Sequence, residues 1–188
     1  MLTGGGAARL GGADKASIEV GDRTLLEHAL AALTDAAEIV VVGSDVPTSR
    51  PVTFTREDPA GGGPVAGLLA GLRAFARRPD RVVVLAVDMP MVSPDTVRRL
   101  LAAAEQDGAE DGAVLVDDAG RDQYLCAAYS VRAVQEADVD PSGHGVAMRA
   151  LVGTLRLGHV PAVGDEAKDL DTWEDLARFR EAFGHRDP

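Results

Sequence analysis

Two cations set six residues apart in a glycine-rich opening are the first residues whose types and spacing suggest chemistry. The stretch Met1 to Lys15 reads M-L-T-G-G-G-A-A-R-L-G-G-A-D-K, with five glycines around Arg9 and Lys15. Glycine loses more backbone freedom on folding than any other residue, so a loop holding five is expensive to order. Such a loop lets backbone N–H groups approach a ligand closely, and the ligand that rewards this is a phosphate. Arg9 and Lys15 add full positive charge against phosphoryl oxygens, which amides alone cannot supply. Lysine is otherwise scarce: the chain holds only Lys15 and Lys168, every other cation being arginine. A lysine inside this loop therefore points to a need for a compact charge there. Two better-known loops are excluded by spacing. Lys15 is followed by Ala16, not by the Ser or Thr of a Walker A loop. The dinucleotide fingerprint would require Gly where Arg9 stands. The reading is a polyphosphate-binding loop, against the plain alternative of a terminus that binds nothing.

Three acidic positions could complete such a site. Asp88 is the first polar residue after the apolar run Arg81 to Val87, in Val87-Asp88-Met89-Pro90. Ligands of open α/β sheets bind beyond the carboxyl ends of strands, where a hard carboxylate suits Mg²⁺; the alternative is a turn-forming Asp. Asp169 and Asp171 stand two apart in Asp169-Leu-Asp171-Thr-Trp-Glu-Asp-Leu176. On an extended segment that spacing points both carboxylates the same way, a second contribution to a metal shell with Asp171 the stronger candidate. Solvated helix-capping acids are the competing reading. A second glycine loop, Asp58 to Gly67, runs into a helix at Pro64 and offers backbone to a flat ring or an anion. Arg121, in the turn before Leu125, is a candidate for bidentate binding of an acceptor phosphate, or an idle surface arginine.

These segments together resemble the molybdenum cofactor guanylyltransferase (MobA) family of nucleotidyltransferases. The opening L-T-G-G-G-A-A-R-L-G-G-A-D-K is similar to the family signature, and Asp88 falls on its metal-bearing Asp. Gly63-Pro-Val-Ala-Gly67 resembles its G-P-L-A-G segment, and the stretch from Arg121 its acceptor side. Two departures stand in the closing motif: Asp169 and Asp171 replace asparagines, and Trp173 replaces proline. The resemblance implies nucleotide contacts from Leu2, Thr3, Gly4, Gly5, Gly6, Gly12, Lys15, Asp58 and Gly63. It implies Mg²⁺ as cofactor and catalysis by Arg9, Lys15 and Asp88. The implied reaction joins GMP from GTP to the phosphate of molybdopterin and releases pyrophosphate. The small Gly5 and the G-P-V-A-G segment favour guanine, while the two aspartates lean toward cytidylyltransferase relatives. A cytidylyltransferase for molybdopterin, a nucleotidyltransferase for a sugar or alcohol phosphate, and a nucleotide-binding module without turnover are the alternatives. Molybdoenzymes or cofactor-maturation proteins are the implied partners. The family also places several apolar residues ahead of the loop as a first strand. Only Met1 and Leu2 stand there in this sequence, so a few native residues are expected to precede it.

The elements that must position these groups follow from periodicity. Thr24 and Glu27 have capping-box spacing ahead of a helix whose stripe is Leu25, Leu26, Ala29, Leu30 and Leu33. Strands are expected at 38–43, 52–55, 81–87, 113–116, 125–129 and 154–160. Helices are expected at 64–76, from Pro94 to about Gln106, from Val131, at 146–152 and from Thr172, the last burying Leu176, Phe179 and Phe183. The 81–87 run does not alternate, as expected of a central strand covered on both faces. Strands alternating with helices predict one α/β domain over 1–188, with a mainly parallel, Rossmann-like sheet between helical layers. The resemblance specifies the three-layer fold of nucleotide-diphospho-sugar transferases.

Composition excludes whole classes of function. A net charge of −11 with no basic run argues against nucleic-acid binding, and means that an anionic ligand needs local cations or a metal. Cys126 is the sole cysteine, so no intrachain disulfide forms. No stretch has the length and apolarity of a membrane span or a signal peptide, which leaves the cytoplasm as the expected compartment. The four histidines lack metal-ligand spacing.

Overall fold

The structure is a computed structural model that describes residues 1–4 and 14–184, with side chains as far as 181. Among the described residues, eight strands and six α-helices follow a 3₁₀ turn at Lys15–Ser17. The strands are β1 Glu19–Val20, β2 Arg23–Thr24, β3 Val40–Val42, β4 Thr53–Thr55, β5 Arg81–Leu85, β6 Gly112–Val116, β7 Asp122–Ser130 and β8 Leu157–Pro161. The helices are α1 Leu25–Ala31, α2 Pro64–Ala74, α3 Pro94–Ala103, α4 Val131–Glu136, α5 Met148–Val152 and α6 Trp173–Gly184.

Leu2 holds the sheet together. It bridges in parallel to Val42 at the end of β3 and to Ala86 just past β5. The order across the sheet is therefore β4-β3-Leu2-β5-β7-β6-β8. Within this sheet only β7 opposes the rest, antiparallel to β5 and β6, while its other described pairings are parallel. A short antiparallel hairpin, β1 and β2, stands apart, turning through Gly21 at φ 65°.

Alternation along the strands divides the core into two layers. Val41, Leu85, Leu115, Cys126 and Ala128 face a cluster built with Leu26 and Leu30 of α1, Leu100 of α3 and Phe179 of α6. Val40, Val42, Val84, Val114 and Tyr129 face the opposite cluster, with Leu68 of α2, Val134 of α4 and Leu151 of α5. Both faces of the sheet are thus covered, which makes a three-layer α/β/α architecture and explains why β5 reads as an unbroken apolar run. At its amino end that run is only half-buried at Val82 and Val83, beside a cavity of about 680 Å³ that Leu2, Val40, Leu68 and Phe75 also line.

The expected elements all appear, with ends shifted by a few residues, as helix and strand termini fray. One expectation is corrected. Thr24 does accept the Glu27 N–H at 3.2 Å, but Glu27 does not reach back. Its carboxylate instead takes the Ser49 N–H and hydroxyl, both at 2.6 Å, tying α1 to the 47–50 loop. The reciprocal box is on α3, between Ser93 and Thr96. The Phe183 side chain lies outside the described ones. Among the described residues no helix is long and apolar enough to cross a membrane.

Candidate functional site

The parallel strands β3, β4 and β5 and the β6–β7 turn all end on one edge of the sheet. Topology puts Gly43, the 58–63 loop, Asp88 and the 117–121 turn on that edge. It is where ligands of open α/β sheets bind. Three residues far apart in sequence meet there. Lys15 Nζ donates to Asp88 Oδ2 at 2.8 Å and to Asp171 Oδ1 at 2.9 Å. Lys15 is 5% exposed, yet the two acids open to solvent, their side chains 24% and 45% exposed. Burial alone would lower the Lys15 ammonium; the two hydrogen-bonded carboxylates outweigh it and hold it above the usual lysine range.

Local structure explains how each group is delivered. Asp14 caps the 3₁₀ turn by accepting the Ala16 N–H at 3.1 Å, fixing the backbone from which Lys15 projects. Asp88 stands three residues past the end of β5, just after Val87, whose N–H donates to the Leu2 carbonyl at 3.0 Å. The Asp171 segment is tied to the same place by the Leu170 N–H, which donates to the Asp88 carbonyl at 2.8 Å. Further back, buried Glu166 accepts from Thr96 Oγ1 at 2.6 Å and from the Val163 N–H at 2.9 Å, and pairs with Arg99. This knot fastens the loop after β8 to the start of α3.

The remaining sequence candidates divide by position. Leu2 and Thr3 are buried, and both engage the sheet: Leu2 N–H donates to Leu85 and Thr3 N–H to Val42. Thr3 also packs on Gly43, where a Cβ would lie 1.8 Å from the Thr3 hydroxyl oxygen. Both residues are bonded into the sheet, and Gly4 after them is exposed. Arg9, Gly5, Gly6 and Gly12 lie outside the described residues. Asp58 and Gly63 are exposed, and Gly63 leads into α2 at φ 87° without a side-chain cap. Asp169 makes no contact with Lys15 comparable to that of Asp171. Partial loss of hydration at its carboxyl, together with the charges of Asp171 and Asp88, pushes it above the usual carboxylate range. Arg121 is on the correct edge, but its guanidinium pairs with Asp117 at 2.8 Å. The Arg121 N–H bond and the other bonds at Asp117 hold that carboxyl below its usual range.

Two features escaped sequence reading. Glu166 sits in an acidic loop that looks solvated, and only the fold reveals its partners. The 140–145 segment, which looks loose in sequence, covers the second glycine loop: Gly145 N–H donates to Gly62 at 2.8 Å, and His144 Nδ1 lies beside Gly62.

The donor set suits a small hard cation. Asp88 and Asp171 present oxygen atoms to one point, and Mg²⁺ characteristically takes one or two carboxylates and completes its shell with water and phosphate. Among the described residues no group of three or more His, Cys, Asp or Glu side chains converges into an all-protein cage.

Comparison with known proteins follows the same lines. A profile of the MobA-like NTP transferase domain matches residues 1–156. A probable molybdenum cofactor guanylyltransferase of Mycobacterium avium is 32% identical over 159 residues, covering 81% of this chain and 79% of the relative. Among solved structures, molybdopterin-guanine dinucleotide biosynthesis protein A from Archaeoglobus fulgidus superposes with a TM-score of 0.73. It is 22% identical, and the match covers 98% of this chain and 97% of that one. The 2-C-methyl-D-erythritol 4-phosphate cytidylyltransferase of Thermus thermophilus gives 0.67 at 24% identity, over 90% and 93% of the two chains. At these identities the structural likenesses speak for the fold.

Proposed function

This chain belongs to the MobA-like NTP transferase family, and from that membership and the site geometry we propose that it joins GMP from GTP to the phosphate of molybdopterin. The chain is a nucleotidyltransferase of molybdenum cofactor biosynthesis. The observation that carries the reading is the meeting of Lys15, Asp88 and Asp171 at the carboxyl edge of the sheet. In the proposed reaction an acceptor phosphate oxygen forms a bond to the α-phosphorus of GTP. The bond from that phosphorus to the β-phosphate bridging oxygen breaks, and pyrophosphate leaves. The attacking phosphate is already anionic, so no Ser, Cys or His nucleophile is required. Catalysis then rests on positioning and on charge matched to the transition state.

Within this proposal Asp88 and Asp171 would hold Mg²⁺, which would supply positive charge to the nucleotide phosphates. The Lys15 ammonium faces the same phosphates, and Arg9 and the glycine loop complete the cradle. Thr3, packed on Gly43, and Leu2, bonded into the sheet, fix where that cradle begins. Asp58 and Gly63, leading into the uncapped α2, bound the nucleotide from the other side. Arg121 reaches the acceptor only by exchanging Asp117 for its phosphate. We place the enzyme in the cytoplasm as a single domain, handing its product to a molybdoenzyme or a maturation partner.

The test is pyrophosphate release from each of the four nucleoside triphosphates, with and without molybdopterin. Release that requires GTP and molybdopterin together is the expected result. Preference for CTP would move the enzyme to the cytidylyl branch, toward which Asp169 and Asp171 lean. Nucleotide binding without release under any acceptor would refute turnover.

A further inference from the structure

We propose that the Lys15 ammonium is a displaceable counter-ion: a divalent cation can enter between Asp88 and Asp171 only by evicting it. The inference rests on the metal role assigned above to the two acids. Lys15 Nζ already occupies the point that both carboxylate oxygens share, at 2.8 and 2.9 Å. A divalent ion bound to both oxygens would press against that ammonium, and two cations in contact cannot share one acceptor pair without strong repulsion. The geometry favours exchange over simple exclusion. The acids reach solvent at 24% and 45% exposure while the lysine side chain is 6% exposed, so an ion meets the carboxylates before the ammonium. The Lys15 backbone is pinned by the Asp14 cap, which leaves the flexible four-carbon stem as the moving part. An arginine, with its rigid planar fork, would not leave so readily.

Charge bookkeeping gives the exchange a use. With Lys15 in place, two carboxylates and one ammonium sum to −1. With a divalent ion in place the ion and the two carboxylates sum to zero, and the displaced ammonium brings the group to +1. Arrival of the metal therefore prepares the site for a polyanion on a chain whose net charge is −11. Metal affinity in the absence of nucleotide is correspondingly low, because the ion must compete with an internal cation.

Two measurements without nucleotide or acceptor test this. The first is Mn²⁺ binding, by calorimetry or electron paramagnetic resonance, to the wild type, Lys15→Met and Lys15→Met/Asp171→Asn. Lys15→Met should bind Mn²⁺ about tenfold more tightly than the wild type, a size usual for coupled sites. The added Asp171→Asn should abolish that gain. Equal or weaker binding by Lys15→Met, or binding by neither, overturns the proposal. The second uses the wild type alone and so survives any folding defect of the variants. Amine acetylation read by mass spectrometry compares Lys15 with Lys168, the only other lysine, whose side chain is 72% exposed. Mn²⁺ at saturation should raise Lys15 modification several-fold and leave Lys168 unchanged. Lys15 equally protected with and without bound Mn²⁺ overturns the exchange. A protein that passes both measurements yet releases no pyrophosphate would refute the proposed reaction and leave the exchange standing.

Discussion

Removing one member of the Lys15, Asp88 and Asp171 group changes more than one contact, because each carboxylate is held by the same ammonium. Lys15→Ala leaves two facing acids without a cation, and Asp88→Ala leaves the nearly buried lysine with only its more exposed partner. In catalysis, loss of one preorganised electrostatic group costs about 100- to 1,000-fold in rate, roughly 3–4 kcal/mol of barrier. Losses of that order in kcat are expected for both variants in the pyrophosphate assay, with circular dichroism retained. Turnover near the wild-type rate in either one would remove these residues from the chemistry. The sequence disclosed the types and local settings of these residues: a lysine in a glycine loop, an aspartate past an apolar run, an acidic pair before a helix. No local pattern relates positions 15, 88 and 171; only the family resemblance put them in one site, and the direct bonds from Lys15 to both acids came with the fold. Nor could spacing reveal that Asp117 takes up the charge of Arg121, or that only Asp171 of the acidic pair reaches Lys15.

The loop after β8 delivers Asp171, and Glu166 is what fastens that loop to α3. Burial by itself would raise the Glu166 carboxyl; bonds from Thr96, Arg99 and the Val163 N–H override it and keep it below its ordinary 4.5. A carboxyl whose folded value is depressed stabilises the fold fully above the unfolded value. That contribution fades as the pH falls through the folded value. Glu166→Gln is therefore expected to lose about 1–3 kcal/mol of unfolding free energy at neutral pH, the usual cost of a disrupted buried polar group. The deficit should shrink once the pH drops below 4.5, where the wild-type carboxylate begins to lose its advantage. Urea titrations of both proteins at a series of pH values measure this. A gap that stays constant into acid would mean that shape, not charge, holds the loop. Elements were legible where they were long or capped by a side chain, as in α3 with its Ser93–Thr96 box. They were illegible where they were two residues long: β1 and β2 carry no periodicity, and the single bridge at Leu2 has no pattern at all. Capping spacing also misleads when a better partner is near. Ser49 offers Glu27 two donors, and the expected reciprocal bond at Thr24 is given up for them.

One sheet lies between both core layers, so neither layer can lose its packing without exposing a face of the other. Strands alternating with helices made that architecture readable from sequence, because β5 had to be covered on two sides. What periodicity could not convey is that β7 runs against its neighbours, since antiparallel direction leaves no mark on a strand buried on both faces. A shared sheet predicts a single cooperative transition over the whole chain, as small one-domain proteins show. The chain carries its own probes at opposite extremes. Trp173, its only tryptophan, is 54% exposed at the start of α6, and Cys126, its only cysteine, is fully buried on central β7. Burial, with the nearby charge of Glu166 adding to it, pushes the Cys126 thiol up to about 12, so it stays protonated and inert while the sheet is intact. In urea, Trp173 emission, far-ultraviolet circular dichroism and the rate of Cys126 modification by a thiol reagent should all change at one midpoint. If Trp173 responds at distinctly lower urea than Cys126, α6 and the Asp171 loop detach as a unit of their own. The candidate site would then be assembled from two separately stable parts, with Lys15 and Asp88 on one and Asp171 on the other.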